Sequence, residues 1–369
     1  MRAALCAFAH SHHPLPITSS TNPSLGSLRI FRMAGSVEQQ RALVAPAARV
    51  KITRRVVQVT LGLLWLLDGL LQLQPFMFTP DFAQQVLAPV GVGQPAFVSV
   101  PVAWCAALIG THSVVFNAGF ALVQISLGAG ILVPRFVKPA LVASIGWSIG
   151  VWYLGEGLGG IAGGHASPIT GAPGAVLLYL ILAVAAMPVP TPGGVKSGVR
   201  LPAWIATAWA LLWFGFAVML VLPGAAAAER VAGQLQVAGS TSPGWLVQLD
   251  LSSAAVVTNI GFSGILIGAI VCTCIGVAAF GGPRMRITAV CIGSMFAIWS
   301  WVVGQSFGSL FSGQATDPNT GPLLVLFGVA LLGVSPASRA AFTGLSLSPP
   351  QLTQQLRGVE EVDCLTETG

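Results

Sequence analysis

Two acidic residues, Asp68 and Glu156, stand inside long apolar stretches of the chain. An acid in such a stretch is costly and usually faces a helix-bundle interior or water, so both are candidates for ligand binding or proton transfer. A helical rise of 1.5 Å per residue puts Asp68 about 18 Å above the inner membrane surface and Glu156 about 26 Å above it. The alternatives are that Asp68 is a structural group hydrogen-bonded to Trp65 or to a neighbouring helix, and that Glu156 is an ordinary interfacial carboxylate.

Uncharged polar residues extend the pattern around these acids. Gln72 lies one helical turn beyond Asp68 on the same face, and Gln124 shares a face of the next predicted helix with Asn117. Trp152 continues a line of serines spaced four apart on the third predicted helix. The spacing predicts that these faces converge on an outward-opening polar cavity in the first half of the chain.

A second candidate, His165, lies in a short loop rich in Gly and Pro. It could join Glu156 at the mouth of the cavity as a proton-binding or metal-binding group. Capping of the following helix by the loop's Ser, Thr and Pro residues is the simpler interpretation, and we favour it. The six cysteines include no CxxC pair, and both histidines near the membrane lie at its outer edge. The sequence therefore predicts no metal centre and no haem pair.

The composition requires lipid as the main solvent. Hydrophobic residues make up 54% of the 369 residues and charged residues only 8%, and the mean hydropathy is +0.81. Soluble domains carry about 25% charged residues. No Walker loop or HExxH motif is present, so no enzyme class is indicated.

Eight apolar runs approach the roughly 20 residues needed to cross a bilayer. We predict an all-α, polytopic bundle and interpret two further apolar segments, residues 98–110 and 244–256, as interfacial or re-entrant pieces. The predicted spans are residues 56–74, 114–133, 139–160, 174–190, 203–222, 258–280, 287–310 and 321–336.

The basic residues predict the orientation. With the first loop outside, 16 of the 17 Lys and Arg residues fall on the inner side, and only Arg230 falls outside. The positive-inside rule then places both termini in the cytoplasm of an inner (plasma) membrane protein. The net charge of +6 is explained by this topology, so we predict no nucleic-acid partner.

The two halves of the chain are similar to each other at an offset of 148–149 residues. The clearest match runs from Trp152 and from Trp301, with Gly159 falling on Gly308. Four spans in each half give both halves the same orientation, as in parallel-repeat transporters, although duplication is also found in inert scaffolds. The predicted units are a disordered extension (1–50, with Met33 a possible start), two membrane repeats (51–196 and 197–337) and a cytoplasmic tail (338–369).

The polar residues of the first half are replaced in the second. We therefore hypothesise that the first half keeps the site and that the second is mainly a scaffold. The replacements are Asp68 by Phe216, Gln72 by Leu220, Gln124 by Cys272 and Glu156 by Gln305.

Each half resembles a DoxX-type four-helix membrane unit. The resemblance rests on the opening of the first helix at residues 61–69, and on the Gly- and Leu-rich run 124–135 that ends at Arg135. It is loose, and Gln72 and Gln74 stand where that family often has a basic residue. The whole chain resembles tandem-repeat membrane proteins of actinobacteria. The resemblance implies a redox association, with quinone as a possible cofactor.

Three functions stay open at this point. The leading one is the binding or movement of a small or lipid-like molecule through the first half, without catalysis. The second is a quinone-linked redox component in which Asp68 and Glu156 handle protons. The third is a structural subunit whose partner is another protein of a membrane complex.

Overall fold

A computed structural model describes residues 52–188, 201–238 and 242–334. The predictions for the N-terminal extension, the C-terminal tail and the basic residues Lys196, Arg200, Arg339 and Arg357 lie outside these ranges. The described residues form ten α-helices of at least 12 residues: α1 Arg54–Leu71, α2 Ala96–Thr111, α3 Ser113–Leu132, α4 Val137–Leu154, α5 Ala175–Ala186, α6 Trp204–Val221, α7 Ala227–Ala238, α8 Gly244–Ala278, α9 Pro283–Val302 and α10 Thr320–Leu332.

Five of these helices, α3, α4, α6, α8 and α9, are long and apolar enough to cross a membrane. Helices α2, α5 and α10 are apolar but shorter, and α1 contains the charged residues Arg54, Arg55 and Asp68. The chain is thus all-helical over its described part and has the composition of a membrane protein.

Eight of the ten helices pack in two groups of four. In the first group α1 contacts α3 and α5, and α4 contacts both α3 and α5. In the second group α6 contacts α8 and α10, and α9 contacts both α8 and α10. The groups meet where α10 packs against α5 and α1.

The two segments interpreted as interfacial pieces are helical. Residues 98–110 belong to α2, which is separated from α3 by the non-helical residue His112 (φ −132°, ψ 39°). Residues 244–256 form the first part of α8, which is interrupted at Gly261 (φ 58°, ψ −157°). His112 and Gly261 lie 149 residues apart, within the offset of 148–149 residues noted in the sequence.

Helices α1 and α3 are held at backbone contact. A Cβ atom added to Gly128 would lie 2.7 Å from the carbonyl oxygen of Gly62, so neither helix has room for a larger residue there. Small residues permit this close approach between helices in lipid. Arg55 of α1 donates to the carbonyl oxygens of Ile131 (3.2 Å) and Leu132 at the end of α3, where a positive charge also complements the helix dipole.

Candidate ligand-binding site

A cavity of about 380 Å³ lies among the helices of the first half of the chain. Its walls come from α1 to α4, and the short helical turns at residues 75–91 cover one side. Six of its lining residues are aromatic: Trp65, Phe82, Trp104, Phe116, Phe120 and Trp147. Six are polar: Asp68, Gln72, Gln124, Glu156, Thr316 and Asp317.

The structure brings four of the six predicted site residues to this cavity, namely Asp68, Gln72, Gln124 and Glu156. Trp152 is directed elsewhere, because its Nε1 donates to the carbonyl oxygen of Pro173 at 2.8 Å. His165 is exposed and lies beside glycines 93 and 163 instead of Glu156. Neither Trp152 nor His165 lines the cavity.

Asp68 lines the cavity and is buried, with 2% of its surface exposed. Its Oδ1 has no hydrogen-bond partner, and Trp65 donates to Ser144 Oγ (2.9 Å) instead of to this carboxyl group. The buried hydroxyl of Tyr179 is near enough to interact with Asp68, although it too lacks a partner with hydrogen-bond geometry. Sequence reasoning missed Tyr179 because α5 is apolar along its whole length.

The two glutamines present acceptor oxygens that no protein group uses. Gln72 Nε2 donates to Asn117 Oδ1 at 2.7 Å, and Asn117 Nδ2 in turn donates to the carbonyl oxygen of Ser113 at 3.0 Å. The Oε1 atoms of Gln72 and Gln124 are buried and have no partner. Such orphaned acceptors are rare in folded proteins and mark places where a ligand or water fits.

Glu156 has two roles in this structure. The sequence predicts it inside a helix extending to residue 160, but α4 ends at Leu154 because left-handed backbone at Leu158 (φ 57°) and Gly159 (φ 63°) turns the chain. Its Oε1 accepts from the backbone N–H of Val176 (3.2 Å) and so caps α5. Its Oε2 is buried without a partner at the cavity.

Asp317 reaches the cavity from the second half of the chain. Its Oδ2 accepts from the hydroxyl of Thr316 (2.8 Å) and its Oδ1 from the backbone N–H of Asn319 (2.7 Å). Gln74 anchors the segment by donating to the carbonyl oxygen of Ala315 at 3.0 Å. Asn319 caps α10 by accepting from the N–H of Thr320. The loop therefore caps a helix and also completes the first half's cavity.

The two outer loops cross between the halves. While residues 315–317 contact the first half, the carbonyl oxygen of Ile169 in the first loop accepts from Gln305 Nε2 of the second half (3.4 Å). Gln305 occupies the position that matches Glu156, and its Oε1 accepts from the hydroxyl of Thr320 at the start of α10 (3.1 Å). The first outer loop therefore lies against the end of α9. The second outer loop lies near the end of α4, where Asp317 and Glu156 line the same cavity.

Two carboxyl groups of the cavity, those of Glu156 and Asp317, lie outside the ten helices and have raised pKa values. Burial raises the pKa of Glu156 well above its ordinary value, the nearby charge of Asp317 raises it further, and the backbone N–H groups of Val176 and Ala175 offset part of the shift. Burial also raises the pKa of Asp317, against the lowering effect of its bonds from Thr316 and Asn319. An ionised carboxylate in this cavity is therefore costly.

Replacing Glu156 by glutamine is expected to stabilise the protein at high pH and to leave it unchanged at low pH. The raised pKa means that the folded state holds its proton more tightly, so the stability of the unmodified chain falls as pH rises above the ordinary value of 4.5. A pKa raised by one in the folded state costs about 1.4 kcal/mol of stability once the group is ionised in both the folded and the unfolded states. Gln305 shows that an amide can occupy the matching position.

The apparent Tm in detergent, measured at pH 4.5 and pH 8, checks this expectation. Glu156→Gln should melt with the unmodified chain at the lower pH and above it at the higher pH. The control is Glu229→Gln, which removes an exposed carboxyl group of α7. Equal melting of Glu156→Gln and the unmodified chain at both values would contradict the expectation.

Comparison with protein-family models, with curated proteins and with solved structures finds no match to the chain. The resemblance to DoxX-type units therefore stays a prediction. Among the described residues, no group of three or more His, Cys, Asp and Glu side chains has an arrangement that could hold a metal ion. The cavity itself is the strongest guide to function.

Proposed function

We propose that the chain is a membrane protein with eight transmembrane helices in two related halves, and that its first half binds a small, lipid-like molecule in the cavity. The transmembrane helices of this proposal are α1, α3, α4 and α5, followed by α6, α8, α9 and α10. The basic residues favour cytoplasmic termini. Helices α5 and α10, of 12 and 13 residues, fit this topology because loop residues before α5, including Ser167, Ile169 and Ala172, are buried within the protein.

Matched local structures support a duplicated unit. Left-handed backbone occurs at Leu158 and Gly159 after α4, and again at Phe307 and Gly308 after α9. Trp152 donates to a proline carbonyl in the first half, and Trp301 donates to the carbonyl oxygen of Pro318 (2.7 Å) in the second. The Trp-to-Pro spacing is 21 residues in the first half and 17 in the second, so the first loop is four residues longer.

The observation that carries the binding function is the cavity's lining, which combines aromatic walls with buried polar atoms that lack protein partners. Cavities of about 300–1,000 Å³ with apolar walls and a few polar groups are typical small-molecule sites. In the matching region of the second half, the rings of Trp209, Trp213, Phe216 and Phe296 pack with centroids 5.3–6.2 Å apart. An open, polar volume in the first half, where the second half is packed with rings, favours binding over a purely structural role.

The position of the cavity favours a ligand that comes from the lipid. Gly146 and Gly150 line it from an exposed face of α4, and neither has another side chain in front of it. Trp104 of α2 lines it as well and is 65% exposed. In the proposed topology this exposed face of α4 meets the acyl chains, so an apolar molecule could enter sideways.

The experiment that tests this function fills the cavity. In Gly146→Phe the new ring should occupy the cavity at its exposed wall, where no atom lies within 4 Å of a Cβ atom added to the glycine. We expect the unmodified chain, purified gently in detergent, to retain a near-stoichiometric small molecule, and we expect the variant to lose it at least about tenfold. The readout is mass spectrometry of the molecules extracted from each protein.

The matched control is Gly119→Phe on α3, where the added ring also has open space but does not line the cavity. Equal recovery of small molecules from Gly146→Phe and the unmodified chain would contradict the proposed site. A quinone among them would assign the redox alternative, and a stable protein partner without any ligand would assign the structural one.

A further inference from the structure

Three carboxyl groups, those of Asp68, Glu156 and Asp317, line the one cavity. Asp317 interacts electrostatically with both of the others. No Lys, Arg or His side chain is among the lining residues in the described part of the chain. The site therefore concentrates acidic groups in apolar surroundings and supplies no basic residue to neutralise them.

The unused hydrogen-bonding atoms show the same imbalance. Among the lining residues, four buried acceptor oxygens and one buried donor, Trp147 Nε1, have no hydrogen-bond partner. The acceptors are Asp68 Oδ1, Gln72 Oε1, Gln124 Oε1 and Glu156 Oε2. Asp68 and Gln72 are more than nine-tenths buried, with 2% and 3% of their surfaces exposed. A ligand that fits must donate several hydrogen bonds.

An ammonium group meets both requirements. It carries three N–H donors and no acceptor, and it brings the positive charge that a buried carboxylate needs. The indole rings of Trp65, Trp104 and Trp147 add faces that attract a cation and bind an apolar chain. A neutral ligand would leave the acidic groups to be neutralised by protons alone.

We propose that the ligand of this cavity is a lipophilic amine, held through its ammonium group by Asp68 and Glu156, with Asp317 beside them, and through its apolar part by the tryptophan-lined walls. This inference rests on the proposed binding function and specifies its ligand class. The second half is excluded as an equivalent site because Phe216 and Gln305 replace Asp68 and Glu156 there.

The test compares two probes of one shape, phenylbutylamine and phenylbutanol, on the full chain in detergent at pH 7. An alkylamine is protonated at this pH, as lysine is. We expect the radiolabelled amine to bind at least about tenfold more tightly than the alcohol, and Asp68→Asn to weaken the amine by at least about tenfold, as when one partner of a buried charge pair is removed. The alcohol's affinity should change less than about twofold, because it carries no charge for Asp68 to bind.

The control is Asp250→Asn, which removes a carboxyl group that is 1% exposed and has one unpartnered oxygen but lies outside the cavity lining. It should leave the affinity for both probes unchanged. If Asp68→Asn does not yield folded protein, Asp317→Asn provides the same comparison from the loop.

Equal affinities for amine and alcohol, both lost in Gly146→Phe, would overturn the amine inference and leave the proposed binding function intact. Binding of neither probe, with a co-purified molecule still displaced by Gly146→Phe, would also overturn the amine inference alone. Binding of neither probe without such displacement would overturn both.

Discussion

Replacing Gly159 by alanine is expected to destabilise the fold by about 3 kcal/mol or more. Gly159 has a left-handed backbone (φ 63°), and a Cβ atom added to it would lie 2.1 Å from the carbonyl oxygen of Pro173. Left-handed conformation costs a non-glycine residue about 1–2 kcal/mol. The overlap adds the larger part, because the obstacle is backbone that is fixed by the bond from Trp152 Nε1 to the same oxygen.

Gly164→Ala separates the two contributions. Gly164 also has a positive φ (70°), but nothing lies within 4 Å of its added Cβ atom. It should lower the apparent Tm slightly, whereas Gly159→Ala should lower it strongly and reduce the yield of folded protein. Similar melting of the two variants would show that the approach of Gly159 to Pro173 is not as close as the structure places it.

The same turn also affects the cavity, so Gly159→Ala should impair binding in whatever protein still folds. The turn follows Glu156 directly and sets the position from which this residue caps α5 and lines the cavity. A loss of folded protein and a loss of the co-purified molecule are therefore expected together. Gly164→Ala should keep the molecule, since Gly164 does not line the cavity.

The part of the site that sequence could predict lies on regular helices. Gln72 is the C-cap residue of α1, four residues after Asp68, and Asn117 and Gln124 are seven apart on α3, so helical periodicity alone places each pair on one face. An apolar environment then forces such faces inward. The structure does bring Asp68, Gln72 and Gln124 around one cavity, and their role in binding stays a prediction.

What sequence could not supply depends on turns and on contacts between the halves. The left-handed residues after α4 end the helix before Glu156, and they also direct Trp152 to Pro173. No periodicity predicts that change of direction. Asp317 lies more than 140 residues after every other cavity residue except its neighbour Thr316, so only the crossing of the loops reveals its place.

Helix lengths differ from the prediction for a related reason. The apolar runs at residues 174–190 and 321–336 predict full spans, but α5 and α10 are only 12 and 13 residues long. Hydropathy cannot distinguish a helix that faces lipid from a short one enclosed by protein. Helix α5 is of the second kind, with Leu178, Tyr179 and Leu182 fully buried.

The second large effect is expected for Trp65→Ala. Trp65 is 1% exposed, its ring centroid lies 4.4 Å from that of Tyr179, and its Nε1 donates to Ser144. Removing a buried Trp side chain typically costs about 3–5 kcal/mol, and here it also leaves the Ser144 hydroxyl without its donor. We expect a large fall in apparent Tm and a loss of the co-purified molecule, since Trp65 forms part of the cavity wall.

Two other tryptophans distinguish stability from binding. Trp104 lines the cavity but is 65% exposed, so Trp104→Ala should weaken binding while leaving the apparent Tm nearly unchanged. Trp213 is fully buried among the aromatic rings of the second half and faces Gly293, so Trp213→Ala should lower the apparent Tm and leave binding intact in the protein that remains folded. If Trp213→Ala removed the ligand as completely as Trp104→Ala does, the assignment of binding to this cavity would be wrong, because Trp213 does not line it.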